Sequence, residues 1–235
     1  MVSETVLGLP AFVWESLGVL GALIFCGRFY VQWYFSEREK RSVVPIGFWY
    51  MSSAGSLMIL PYAVFYLHSP LGALSHCFNI VVYARNLIHI WRAREALSQR
   101  RWLAVHGGVA LVVAMAMALV AYTWLHELAA TRETGQTQML RQWFWIGVGV
   151  AGQGLFGVRF LIQWLVTEAR RRSVMPHVFW YVSIVAALLM MVSYLQRPQP
   201  EWLLAATVLA PLPVYVRNLW LIRRHKDAEV EEEVV

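Results

Sequence analysis

Apolar residues in this chain gather in long runs divided by short polar stretches. Runs at 16–35, 46–67, 71–91, 103–125, 143–166, 177–195 and 202–222 each come near the ~20 residues a helix needs to cross a bilayer. The pattern predicts an all-α membrane protein with seven transmembrane helices. Seven such helices take up almost all of the 235 residues, so no room is expected for a soluble catalytic domain. The first basic residue is Arg28, and the charged n-region of a secretory signal peptide is therefore not expected here.

The polar interruptions repeat. "RFYVQWYFSEREKRSVVPIGFWYMS" occupies 28–52, and "RFLIQWLVTEARRRSVMPHVFWYVS" occupies 159–183, offset by 131. "YARNL" at 83–87 returns as "YVRNL" at 215–219, offset by 132, so one residue is inserted between the two motifs. Spans 1–3 match spans 5–7. Span 4, rich in Gly and Ala, has no counterpart and suits close helix packing. An odd helix between two three-helix units lets both copies run the same way. The reading is a 3+1+3 parallel repeat related by an axis along the membrane normal, and sites in such folds lie at the repeat interface. The expected divisions are a first repeat at 1–101, a linker helix and loop at 102–141, a second repeat at 142–225, and an acidic, disordered tail at 226–235.

Composition agrees with the pattern. Hydrophobic residues make up 59% of the chain and charged residues 14%, against ~25% charged in a soluble domain. The net charge of +6 does not imply nucleic acid, because its distribution follows the loops. Thirteen basic residues fall on one side, in the stretches 38–41, 92–101, 170–172 and 223–226; three, Arg132, Arg141 and Arg197, fall on the other. The positive-inside rule makes the first side cytoplasmic, with the N-terminus outside and the C-terminus inside. Cys26 and Cys77 read as small apolar packing residues, and no zinc-type spacing appears.

The four remaining basic residues, Arg28, Arg85, Arg159 and Arg217, lie within spans. Arg28 and Gln32 share a helix face, as do Arg159 and Gln163. Arg85–Asn86 and Arg217–Asn218 come about two turns before the cytoplasmic ends of their helices. All four arginines are expected at one depth. An arginine inside the membrane costs about 2.5–3.5 kcal/mol at a helix centre, and four together repel one another. No acidic residue lies within the spans; the nearest are Glu37 and Glu168 at their ends. One reading is an anionic ligand, phosphate or carboxylate, gripped by guanidinium forks with Gln and Asn adding neutral hydrogen bonds. The other is structural: the arginines snorkel to the interface, or Glu37 and Glu168 fold back as partners.

Other repeated positions have plainer readings beside functional ones. Pro45 and Pro176 read as helix-start prolines or as hinges, and Ser42 and Ser173 as N-caps. Trp33, Trp49, Trp164 and Trp180, with Tyr83 and Tyr215, form an aromatic belt or contact a sugar headgroup. The halves also differ. His76 and Asn79, in span 3 alone, read as sugar or headgroup contacts, with His76 also a candidate proton site or a satisfied interhelical histidine, and Pro211 with Pro213 is expected to break span 7. No catalytic set, metal-ligand cluster or cofactor motif is found.

The doubled motif RFxxQWxx(S/T)ExxxRSVxPxxFWYxS followed by YxRNL resembles the lipid A biosynthesis N-terminal domain family, usually named after lipid A disaccharide synthase. That family is similar in turn to the PQ-loop, SWEET and semiSWEET superfamily, whose 3+1+3 arrangement fits the span count. Neither Gln32 nor Gln163 follows a proline, so the Pro-Gln dipeptide is absent, which weighs against simple sugar uniport. The resemblance implies a Gram-negative inner membrane. Together with a phosphate-like site it leads to the expectation of a flippase for a polyprenyl-phosphate sugar used in lipid A or envelope glycan modification. The alternatives are a non-transporting subunit that binds lipid phosphate and docks a glycosyltransferase, and a SWEET-like sugar carrier. Expected partners are membrane lipids, a phosphorylated lipid or lipid-linked sugar among them, and a membrane glycosyltransferase. A monomer suffices, because the fusion already supplies two units.

Overall fold

A computed structural model describes residues 5–39, 44–93, 99–170, 177–217 and 219–220. It is all-α apart from one small hairpin, and three of its helices, Ala11–Glu39, Gln99–Arg132 and Val178–Leu195, are long and apolar enough to cross a membrane. Its contacts divide the chain into two compact units, Met1–Leu140 and Arg141–Val235.

The first unit opens with strands β1 (Thr5–Val6) and β2 (Leu9–Pro10), paired antiparallel. Leu7 and Gly8 turn the corner at φ 51° and 77°. Two successive left-handed residues are what a tight hairpin demands, and glycine meets that demand without a steric penalty. Trp14 Nε1 donates to the Val6 carbonyl at 3.1 Å and pins the hairpin to the helix that follows.

Four helices complete this unit: α1 (Ala11–Glu39), α2 (Ile46–Pro61), α3 (Pro70–Ala93) and α4 (Gln99–Arg132). Helices α1 and α2 cross at glycines. A Cβ built on Gly55 would lie 2.8 Å from the Phe25 Cβ and 2.9 Å from the Gly21 carbonyl oxygen. Only small residues let backbones approach this closely. After Pro61 the ladder widens into a single π-turn, Tyr62–Tyr66, closed by the Leu67 N–H on the Tyr62 carbonyl at 3.1 Å. The core joins α2, the π-turn, α3 and α4 through Leu60, Val64, Ala73, Cys77, Ile80 and Ala116.

The second unit contains most of α5 (Gln136–Arg170), α6 (His177–Leu195) and α7 (Trp202–Leu209). Here Gly152 takes the crossing position, 131 residues after Gly21, and a Cβ there would meet the Ala186 carbonyl at 2.9 Å. Helix α7 stops at Leu209, a turn covers 210–211, and helix resumes over 212–217. Pro211 and Pro213 have no N–H to give, so the ladder cannot run through them.

The seven runs read from the sequence thus appear as helices of uneven membrane character. Helix α2 is shortened by the π-turn and α7 by its prolines. Helices α3 and α5 are long enough but carry polar residues such as Arg85, Asn86, Gln153 and Arg159 along their length. Helix α4 extends past its apolar run 103–125 at both ends, because Arg, Gln and Glu are good helix formers whatever their hydropathy. Pro45 is the N-cap of α2, in extended backbone, with no side-chain cap. Ser42, Ser173, Pro176 and the tail 226–235 lie outside the described residues.

Candidate functional site

Arg28 lies two turns along α1 from the Gly21 crossing and is only 7% exposed. Its Nη1 donates to the Tyr83 hydroxyl on α3 at 2.7 Å. The rest of the guanidinium is walled by rings. Its Cζ is 3.6 Å from the Phe25 centroid, 4.8 Å from Phe29, and 5.3 Å from both Phe48 and Tyr83. Ring faces attract a cation, by about 2 kcal/mol or more where water is excluded. Yet Nε is buried with no acceptor among the described residues, and no carboxylate there pairs with the charge. Burying a charge is expensive, and here the four rings and the Tyr83 hydroxyl offset part of that cost.

The second unit builds the same arrangement. Arg159 Nη1 donates to the Tyr215 hydroxyl at 3.2 Å and to Ser183 Oγ at 3.0 Å. Its Cζ is 4.5 Å from the Phe156 ring, 5.2 Å from Phe179 and 5.9 Å from Tyr215. Ser183 donates its own proton to the Phe179 carbonyl at 2.6 Å, which leaves its lone pairs for the arginine. Ser52 bonds the Phe48 carbonyl in the same way in the first unit. Trp49 stands 6.1 Å from Tyr83, and Trp180 5.8 Å from Tyr215.

The structure therefore gathers Arg28, Trp49 and Tyr83 in one unit, and Arg159, Trp180 and Tyr215 in the other. Other sequence candidates stand elsewhere. Arg85 and Arg217 are exposed. Each follows its tyrosine by two residues, about 200° round a helix, so only the tyrosine faces the guanidinium. Asn86 bonds back to the Val82 carbonyl at 2.8 Å. Trp33 is exposed and donates to Glu37 Oε1 at 3.2 Å. Gln32 and Asn79 are half-buried. His76 is buried, with Nδ1 3.3 Å from Ser56 Oγ and its ring edge-on to Phe25. The corresponding residues of the second unit are Val208 and Ala187, so that polar link is not duplicated. The side chains of Gln163, Trp164 and Glu168, and all of Asn218, lie outside what is described.

Sequence reasoning passed over the phenylalanine walls. The signal was present: Phe25 returns as Phe156 at the same offset of 131 as the arginines.

The lipid A biosynthesis N-terminal domain family matches the chain twice, over residues 17–88 and 148–220. Both matched segments contain the arginine and tyrosine of one site. Among curated proteins, "Lipid-A-disaccharide synthase" of Chlamydia abortus is 31% identical over 186 residues, covering 78% of this chain and 29% of the relative. Its namesake from Chlamydia felis is 30% identical with the same coverage. The chain thus spans less than a third of the length of these relatives. No solved structure matches it. These comparisons correct the expectation of a flippase or sugar carrier, for they point to lipid A biosynthesis and not to transport. With two copies of its domain in one polypeptide, the chain belongs to the lipid A biosynthesis N-terminal domain family.

Proposed function

We propose that this chain is a membrane module of lipid A biosynthesis that holds the phosphorylated headgroup of a glycolipid for a glycosyltransferase partner. The observation that carries the reading is the ring-walled Arg28, nine-tenths buried, bonded to Tyr83, with its Nε unpartnered among the described residues. A lipid phosphate supplies what the site lacks: charge to balance the guanidinium and oxygens to accept from its remaining donors. Aromatic walls suit a lipid ligand, whose acyl chains stay in the bilayer while its headgroup meets the arginine. Exposed Arg85, Arg92 and Arg217 add positive charge toward the helix ends for further headgroup charges.

In this reading the helices form seven spans, as a three-helix repeat, the linker helix α4 and a second repeat. The chain sits in the inner membrane with its N-terminus outside and its C-terminus in the cytoplasm, as the loop charges favour. Disaccharide synthesis, named in relatives of whose length this chain spans less than a third, reaches this chain through a partner. Native mass spectrometry of the gently solubilised protein tests the lipid site. The wild type is expected to carry a phosphorylated lipid, and a folded Arg28→Gln/Arg159→Gln variant to carry none. Identical lipids on both, or none on either, would overturn the reading.

A further inference from the structure

We propose that His68 and His126 form an acid-sensitive latch fastening the turn before α3 to the linker helix α4. The two imidazoles stack with centroids 4.3 Å apart and planes 14° from parallel. His68 joins the π-turn to α3 with φ +49°, a left-handed conformation that a non-glycine residue holds only where its surroundings demand it. The turn is otherwise closed by the Leu67 N–H on the Tyr62 carbonyl and the Ser69 N–H on the Ala63 carbonyl at 2.8 Å. One further tie reaches it from α4: Trp124 Nε1 donates to the Pro70 carbonyl at 3.2 Å.

Every titratable group around His68 bears on the latch. Helix α4 presents His126, the buried Glu127 and Tyr122, whose ring is 6.2 Å from His126. The π-turn contributes the Val64 carbonyl, hydrogen-bonded to His68. Glu15 on α1 is held by the Tyr66 hydroxyl at 2.6 Å. Two neutral rings stack well, whereas a proton on either sets a cation against its neighbour, and two protons set like charges face to face. Burial of His68, and next the nearness of His126, hold its pKa below the ordinary histidine value; Glu127 and the Val64 hydrogen bond pull the other way without prevailing.

The sign follows. With the rings apart and hydrated, His68 titrates near the usual ~6.5. The opened state then binds the proton more readily, so the latch is fully closed above that pH. It weakens by up to about tenfold per pH unit as the pH falls below it. The matching connection in the second unit has no histidine; Arg197 Nε meets the buried Glu201 there at 3.2 Å. Acid between pH 7 and 5 therefore acts on this connection and not through its counterpart in the second unit, and the stack carries its effect to helix α4.

Amide hydrogen exchange of the full chain in lipid nanodiscs, corrected for intrinsic rates, tests this over residues 66–70. Protection there is expected to fall, by at most about fivefold, between pH 6.5 and 5.5, with α1 and α2 unaffected. His68→Asn, a residue that accepts the positive φ, should abolish the pH dependence. His126→Phe keeps a flat ring opposite His68 while removing one charge that lowers its pKa, and should make the loss smaller. Unchanged wild-type protection, a loss of the same size in His68→Asn, or an undiminished loss in His126→Phe would each overturn the latch. Should His68→Asn fail to fold, His126→Phe decides alone.

Discussion

The Arg28 guanidinium reaches the Tyr83 hydroxyl across 55 residues of sequence, and Arg159 reaches Tyr215 across 56. The extra residue is the one inserted between the motifs of the second repeat. It is absorbed in the connection between helices, and the pair meets regardless. Two helices of each unit are thereby held at one relative height by a donor on the first and an acceptor on the third.

Removing the acceptor measures that tie. Tyr83→Phe leaves Nη1 of a buried guanidinium without its partner, at a cost of about 1–3 kcal/mol. Tyr215→Phe should cost less, because Ser183 Oγ still accepts from Arg159 at 3.0 Å. Thermal unfolding of both variants in one detergent gives the comparison. A larger loss for Tyr215→Phe would show that the two arginines are not held in the way described.

Arg28→Met separates holding from binding. Methionine keeps much of the volume, stays apolar against Phe25, Phe29 and Phe48, and leaves no buried charge. Replacing a buried charged group by a well-packed apolar one is often neutral or stabilising by about 1–4 kcal/mol. The variant is expected to fold at least as well as wild type and to lose its co-purified phosphorylated lipid. A variant that no longer folds would make Arg28 a structural residue, with Tyr83 as its reason.

How far the sequence discloses this arrangement depends on the kind of contact. Helices follow from apolar runs, and duplication from the offset of 131, because both are patterns along one dimension. The break in α7 follows from Pro211 and Pro213, a local property of the backbone. The partner of Arg28 does not follow in that way. "YARNL" presents a tyrosine and an arginine two residues apart, on nearly opposite sides of one helix, and only the packing of α1 against α3 decides which faces inward. The charged residue attracts the eye; the phenol occupies the site. The π-turn at Tyr62–Tyr66 and the His68–His126 stack are equally hidden, since each depends on how a turn meets a helix about 60 residues away.

The crossing that sets Phe25 in place can be tested inside one helix. Gly55→Ala adds a methyl 2.8 Å from the Phe25 Cβ and 2.9 Å from a backbone oxygen. Backbone cannot swing aside as a side chain does, so overpacking should cost about 1–3 kcal/mol. Gly47→Ala, also in α2, meets nothing within 4 Å and should gain up to about 1 kcal/mol from helix propensity. Opposite shifts in melting temperature are expected from the same chemical change. Shifts of the same sign would mean that α1 and α2 do not touch through their glycines.

The connection between α6 and α7 offers a test in the second unit. Glu201 is the N-cap of α7, its carboxylate accepts from Arg197 Nε at 3.2 Å, and both side chains are largely buried, at 2% and 12% exposure. Its backbone N–H also bonds the Tyr194 carbonyl at the end of α6. Glu201→Gln preserves shape and these backbone bonds but removes the charge, leaving Arg197 without its counter-ion. Loss of a charged hydrogen bond in such surroundings should cost about 2–3 kcal/mol. Being sheltered from water, the effect should change little with added salt, unlike that of an exposed pair. A double Arg197→Met/Glu201→Leu variant should recover much of the loss, because it removes both charges together. If Glu201→Gln melts like wild type, the pair adds nothing, and the bend from α6 into α7 is held by its backbone alone.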